Sequence, residues 1–317
     1  MVFSVFSEIL SIFEEILILL RIMNRDILLV GSLAFDILFS IPQDFRKSIP
    51  LEDGSIRSFN ASYVASEKQE HCGGCAGNIA WWLGRNGIPS TIFSAFGKDF
   101  SEKEYRTKLE SLGIRIVGSE GVFTAHAYQV SDPLHQQLII WQPNAYEQNE
   151  SQRLIDFLST EELSAVKFAV FSAGTPRSFR KHIEEFRRYN QSAFVLFDPG
   201  QITPLLSAED FLFCAEQSNI LVGNDIEFRH FRSFGIPEGK TTIETCGARG
   251  ATLTENGIQT HIPAEVVTNV VETTGAGDAF RAGFLAGLSH GKTLPESITL
   301  GCSWGAKCVQ LPSAQEE

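Results

Sequence analysis

Short apolar runs alternate with amphipathic stretches along most of the chain. Ile27 to Val30 is apolar throughout and ends in Gly31-Ser32, so it reads as a buried strand running into a loop. Weaker strand-like runs follow near Ile37–Ile41 and Ala61–Ser66, and another at Thr91–Phe96. Gly73 to Gly77 reads as a glycine-rich turn. Asn78 to Asn86 carries Ile79, Trp82 and Leu83 on one stripe, which predicts a helix closed by Gly87. Val122–Val130 and Gln136–Trp141 predict a hairpin around Ser131-Asp132-Pro133. Helices are then expected near 151–158, 178–189 and 206–217, with a long one after Gly275. Strands are expected at Phe168–Phe171, Ala193–Phe197, Ile220–Val222 and near Thr241–Thr245. This alternation implies βαβ units: an α/β fold with a mostly parallel central sheet and helices on both faces. The β-rich stretches 36–70 and 122–142 interrupt it. They are expected to pair as a small β lid over the strand ends, where open α/β sheets bind ligands.

Composition narrows the partners. The 317 residues allow one large α/β domain with an appendage, or two small ones. Apolar residues at 43% and charged residues at 20% are ordinary for a soluble globular protein. A net charge of −12 argues against nucleic acid as a partner. It leaves a nucleotide open, because one phosphate site needs only a few donors. The six cysteines are scattered, which fits reduced thiols and a cytoplasmic location. Cys72-Gly-Gly-Cys75 has the spacing of a redox or metal half-site, yet no second CxxC or His pair completes a zinc set. Val2 to Leu20 is mostly apolar but is interrupted by Glu8, Glu14 and Glu15, and it lacks a basic leader and a small-residue cleavage site. A signal peptide and a membrane span both fit poorly, so no membrane partner is expected. Residues 1–22 are read as an extension or a mis-assigned start before Met23, and 23–317 as the main domain.

The chemistry concentrates in Glu272-Thr273-Thr274-Gly275-Ala276-Gly277-Asp278. Gly275 and Gly277 allow a tight turn whose N–H groups converge, and a helix starting there favours an anion. A phosphate in transfer needs such a cradle. A carboxylate beside it, Asp278, can accept the proton of an attacking hydroxyl. A glycine cap followed by a capping Asp is the bland alternative.

The neighbours tip the balance. T-T-G-A-G-D-A-F-R-A-G-F at 273–284 resembles the signature of the ribokinase-like (PfkB) carbohydrate and nucleoside kinases. The resemblance implies an anion hole at Gly275, Ala276 and Gly277 and a catalytic base at Asp278. Glu272 stands where many members have Asp. Gly73-Gly74-Cys75-Ala76-Gly77-Asn78 is similar to the family's GG-x-x-x-N motif, which implies that Gly73, Gly74 and Asn78 bind substrate. Glycine permits close approach, and an amide serves a diol as donor and acceptor. Asp36 resembles the substrate Asp after the first strand. Asn224-Asp225-Ile226-Glu227 is similar to the N-x-x-E motif, which organises magnesium and phosphate, with Glu227 acting on Mg²⁺ through water. The same residues also form a capping-box pattern. Thr245, Gly247 and Gly250 match the T-x-G-x-x-G segment on the ATP side, and the helix around Ser303–Cys308 matches one that helps to hold adenine.

The substrate reading leans to nucleosides. Thr124-Ala125-His126-Ala127-Tyr128, Ser131-Asp132, Gln136-Gln137 and Gln142-Pro143-Asn144-Ala145 resemble a bacterial adenosine-kinase-like branch, as do Phe197-Asp198-Pro199-Gly200-Gln201 and Arg281. A base needs an apolar wall, for which Phe123, Tyr128, Trp141, Phe96 and Phe100 are available, and Gln136 or Gln137 suits a base edge. The implied reaction is MgATP plus adenosine giving ADP plus AMP. A sugar or sugar-phosphate kinase is the alternative, and a catalytically inactive nucleoside-binding protein a minor one. No G-x-G-x-x-G follows the first strand, which argues against a dinucleotide enzyme. Potassium dependence is left open, as is the choice between a monomer and a homodimer through the lid.

Overall fold

The structure, a computed structural model, describes residues 26–45, 62–134 and 136–316. The expectations for residues 1–22 and for a start at Met23 lie outside the described residues. The chain begins with β1 (Ile27–Val30), β2 (Ala34–Ser40), β3 (Glu67–Gly73), α1 (Cys75–Arg85), β4 (Thr91–Phe93) and β5 (Phe96–Gly97). Next come α2 (Asp99–Glu102), α3 (Tyr105–Glu110), β6 (Arg115–Val117), β7 (Glu120–Gly121), β8 (Ala125–Ser131) and β9 (Gln137–Gln142). The alternating half contains α4 (Thr160–Ala165), β10 (Phe168–Ser172), α5 (Pro176–Tyr189), β11 (Phe194–Asp198), α6 (Ala208–Gln217), β12 (Ile220–Asn224) and α7 (Asp225–Phe234). It closes with β13 (Thr241–Thr245), β14 (Ala251–Glu255), β15 (Ile258–Ile262), α8 (Ala276–Ser289) and α9 (Leu294–Cys308).

Among the described residues, one sheet has the order β15-β14-β13-β12-β11-β10-β1-β4-β6. From β13 to β6 every neighbour is parallel, and β14 and β15 add an antiparallel hairpin at the edge. Side chains alternate between its faces. Ile27 and Leu29 pack with α1, α8 and α9 on one side, while Leu28 and Val30 pack with α5 to α7 on the other. Such two-sided burial explains why β1 reads as a continuous apolar run. No helix among the described residues is long and apolar enough to cross a membrane.

The lid has the order β3-β2-β8-β9. Its hairpin is closed by Asp132, whose Oδ1 accepts from Leu134 N and Gln136 N at 2.9 Å each. The strand expected at Ala61–Ser66 begins instead at Glu67. Among the described residues β3 pairs only with β2, as an edge strand, and its polar sequence shows no apolar alternation.

Two other expectations change. The helix near 151–158 is replaced by 3₁₀ turns at Asn144–Glu150 and Leu154–Asp156. Glu185 takes the N–H groups of Leu154 (2.9 Å) and Ile155 (3.3 Å), so side-chain acceptors replace helical ones there. Helix α1 starts three residues earlier than the apolar stripe suggests, because Gly74 caps it at φ 84°, a conformation only glycine adopts freely.

Candidate active site

A cavity of about 320 Å³ lies between the lid and the C-terminal ends of the parallel strands. The body contributes Gly74, Cys75, Asn78, Asn224, Glu227, Gly275, Gly277, Asp278 and Arg281 to its wall. The lid contributes Asp36 from β2, Ala127 and Gln129 from β8, and Gln137, Ile139 and Trp141 from β9. Motifs spread over most of the sequence therefore meet in one space.

Asp278 occupies the third position of α8, behind Gly275 in the left-handed region at φ 81°. Its carboxyl is buried and accepts from Asn78 Nδ2 (2.8 Å) and Arg281 Nη1 (2.7 Å). Burial pushes the Asp278 carboxyl above the usual range; Arg281, Asn78 and the Cys75 thiol pull it back, and the charge of Asp198 adds to the rise. The group is thus a proton acceptor stronger than a surface carboxylate, held by donors from two helices. Arg281 also donates through Nε and Nη2 to Asp198, which is fully buried at the end of β11.

The turn before α8 is shaped by an acid. Glu272 Oε1 accepts from Thr273 N (2.7 Å), Thr274 N (3.0 Å) and Thr274 Oγ1 (2.9 Å). Gly275 and Gly277 line the cavity. Ala276 does not, and its N–H turns back to Thr273 O at 3.3 Å. The lid touches this turn at Thr274 Oγ1, which lies 3.3 Å from Gln129 Oε1.

Asp36 faces the cavity across β2, and burial, with the charge of Asp278, raises its carboxyl to about 7. Gly73 lies directly beneath it: a Cβ there would stand 2.1 Å from Asp36 Oδ2. Gly73 thus supports the site by close approach without lining it. Asn78 lies within α1, where its amide points at Asp278 and not at a helix end.

Asn224 and Glu227 form the capping box their spacing suggests. Asn224 Oδ1 accepts from Ile226 N and Glu227 N at 2.9 Å each, and Glu227 Oε2 accepts from Asn224 N at 2.7 Å. Both also line the cavity, so capping and site roles are compatible. Burial, then the charge of Asp198, raises Glu227 to about 7. Asp36, Asp198, Glu227 and Asp278 outnumber the one guanidinium between them, which suits an incoming cation. Among the described residues no three His, Cys, Asp or Glu side chains converge to hold a metal ion alone. A magnesium ion carried by nucleotide phosphates, meeting Glu227 and Asn224 through water, fits that donor set.

Thr245 closes β13 beside Asn224 in register, and its Oγ1 donates to Gly223 O at 3.3 Å. Gly247 and Gly250 follow in a tight turn at the same end of the sheet. All three flank the cavity without lining it. In the lid, Gln137 lines the cavity and Gln136 does not, being bound into the hairpin turn by its N–H. Phe123 precedes β8, is 59% exposed and stands off the cavity wall. Tyr128 stacks on His126 on the opposite face of β8, and Phe96 and Phe100 pack in the core with Tyr105. Trp141 reaches the cavity. Pattern reading missed Gln129 and Ile139, although strand alternation from Ala127 and Gln137 points to both. Cys72 and Cys75 are free thiols, and burial pushes the Cys75 thiol well above its usual range.

Comparison with known proteins places this geometry. The pfkB family of carbohydrate kinases matches residues 49–317. A nucleoside kinase of Methanocaldococcus jannaschii is 26% identical over 296 residues, covering 90% of this chain and 91% of that protein. A nucleoside kinase of Methanothermobacter thermautotrophicus is 28% identical over 286 residues, covering 86% and 85%. The solved structure of a Burkholderia thailandensis nucleoside kinase in complex with inosine superposes with a TM-score of 0.78 at 26% identity, covering 91% of this chain and 92% of that one.

Proposed function

The chain belongs to the pfkB family of carbohydrate kinases, and from that premise we propose that it transfers the γ-phosphoryl group of ATP to the 5′-hydroxyl of a nucleoside, adenosine first among them. The observation that carries the reading is the meeting of Asp278, Asn78 and Asp36 in one cavity at the glycine-capped start of α8.

In this reading the ribose hydroxyls lie against Asp36 and Asn78, which offer acceptors and a donor to a diol. The 5′-hydroxyl faces Asp278. Its oxygen forms the bond to the γ-phosphorus as the proton passes to the Asp278 carboxylate. The bond from the γ-phosphorus to the bridging oxygen of ADP breaks in line. Charge on the transferring group rests on the N–H groups of Gly275 and Gly277 and on the positive end of α8. Glu227 and Asn224 would hold a magnesium ion through water, and when bound it would supply charge neutralisation at the nucleotide phosphates. Trp141 and Ile139 supply an apolar wall for the base, and the amides of Gln129 and Gln137 suit its polar edge. The likeness to nucleoside kinases over most of the chain supports the same choice.

A substrate panel tests it. Adenosine, inosine, pyrimidine nucleosides, ribose and fructose 6-phosphate are offered with MgATP, with and without potassium. Adenosine is expected to give the 5′-monophosphate at the highest kcat/KM. Turnover of a sugar with none of any nucleoside would overturn the assignment.

A further inference from the structure

After α9 the chain turns back to the cavity. Ser313, Ala314 and Gln315 are 5%, 3% and 2% exposed. Trp82 Nε1 donates to Ala314 O at 3.1 Å, and Lys108 Nζ donates to Gln315 O at 2.8 Å, so the backbone is pinned on both sides of the Gln315 side chain. Ala314 lies against the glycine turn: a Cβ on Gly275 would stand 2.3 Å from its own.

The pinned backbone delivers the Gln315 amide between Asn78 and Tyr105. Its Nε2 donates to Asn78 Oδ1 at 2.8 Å and to Tyr105 Oη at 2.6 Å. The polarity of each bond follows from its neighbours. Tyr105 gives its O–H to Gly73 O at 2.8 Å, so its oxygen is left to accept. Asn78 gives Nδ2 to Asp278, so its Oδ1 is left to accept. Both acceptors face residue 315, and an amide nitrogen carries the two hydrogens they need. Gln315 Oε1 is buried with no partner among the described residues. The cost of that orphan is accepted because turning the amide over would set oxygen against oxygen at both contacts.

We propose that Gln315 is a positioning residue for the base: by holding Asn78 Oδ1 it keeps the Asn78 N–H aimed at Asp278, and through Tyr105 it ties that orientation to the Gly73 turn under Asp36. This rests on Asp278 being the base. The groups that act on Asp278 come from several elements: Arg281 from α8, Asp198 from β11, Asn78 and Cys75 from α1, Asp36 from β2 and Glu227 from α7. Tyr105 from α3 and Cys308 from α9 face it as well, and of all these Asn78 and Tyr105 contact Gln315, Asn78 alone also bonding Asp278. A charge-neutral change at 315 therefore reaches the base by way of Asn78.

The test is the position of the acid limb in the pH dependence of kcat. Gln315→Leu removes both donors, loosens Asn78 and moves the limb to higher pH by roughly half a unit. Gln315→Glu places a carboxylate against Asn78 Oδ1, drives the amide to turn over and moves the limb up by roughly one unit. In an Asn78→Ala background the charge-neutral Gln315→Leu moves it no further. Tyr105→Phe, which keeps the ring in the core, gives a smaller shift in the same direction and serves if Gln315→Leu does not fold. An unmoved limb in Gln315→Glu and Tyr105→Phe, with kcat or Tm merely lowered, would overturn the proposal. So would equal shifts by Gln315→Leu with and without Asn78. Wild-type turnover by Asp278→Asn would instead sink the underlying assignment of the base.

Discussion

Arg281 holds Asp198 with two nitrogens, Nε and Nη2, both on Oδ2 of a carboxylate that has no exposure. The remaining Nη1 reaches Asp278 at 2.7 Å, so a single guanidinium serves both a buried strand end and the base. Removing it leaves two carboxylates buried without their cation. Arg281→Met is expected to destabilise the protein by about 3–5 kcal/mol, a fall in Tm on the order of 10 °C. Adding Asp198→Asn should recover part of the loss. A Tm within a degree or two of wild type by calorimetry would show that the pair contributes little.

Stability should also report on the acid-rich cavity. Asp36 and Glu227 rise from 3.8 and 4.5 to about 7 in the folded chain. A raised carboxyl favours the fold when protonated. Its contribution is complete below about pH 4 and is lost as pH climbs through about 7. Asp36→Asn, which cannot ionise, should therefore gain Tm relative to wild type between pH 5 and pH 8, in the absence of ligand. A constant Tm difference across that window would contradict the assignment.

Gly73→Ala tests the support under Asp36. The new Cβ would stand 2.1 Å from Asp36 Oδ2, so the carboxylate must swing away. If Asp36 binds the ribose, KM for the nucleoside rises by about tenfold, roughly 1.4 kcal/mol, with a smaller effect on kcat. Steady-state kinetics at saturating MgATP separate the two. An unchanged KM would remove Asp36 from the substrate contacts.

The lid can be tested by contrast. Trp141 lines the cavity and Phe123 is 59% exposed away from it. Trp141→Ala should weaken nucleoside binding by about 1–2 kcal/mol, while Phe123→Ala leaves it unchanged. Calorimetric titration with adenosine distinguishes them. The opposite ranking would place the base elsewhere.

Much of the fold and part of the site are legible where one continuous stretch of chain carries the whole device. The turn at Gly275–Asp278 combines its glycines, its helix start and its acid within four residues. The box at Asn224 and Glu227 is equally local. Side chains joined only by tertiary packing are harder to read. Asp198 reads as a strand end and Arg281 as a helix position, and their pairing depends on how α8 packs over the end of β11. Gln315 carries no motif at all. Gln136 and Gln137 differ because β9 starts between them, leaving Gln136 in the turn and Gln137 on the cavity wall. Strand β3 falls later than the run at Ala61–Ser66 because an edge strand needs no apolar alternation to mark its start.

The central claim is that Asp278 takes the proton of the attacking hydroxyl. Its most direct test is the single-turnover rate of 5′-monophosphate formation from adenosine and MgATP by Asp278→Asn, alongside adenosine affinity by titration. The account predicts a rate lower by about 10²- to 10⁴-fold with affinity changed only a few-fold. A variant that forms the product at the wild-type rate would contradict it.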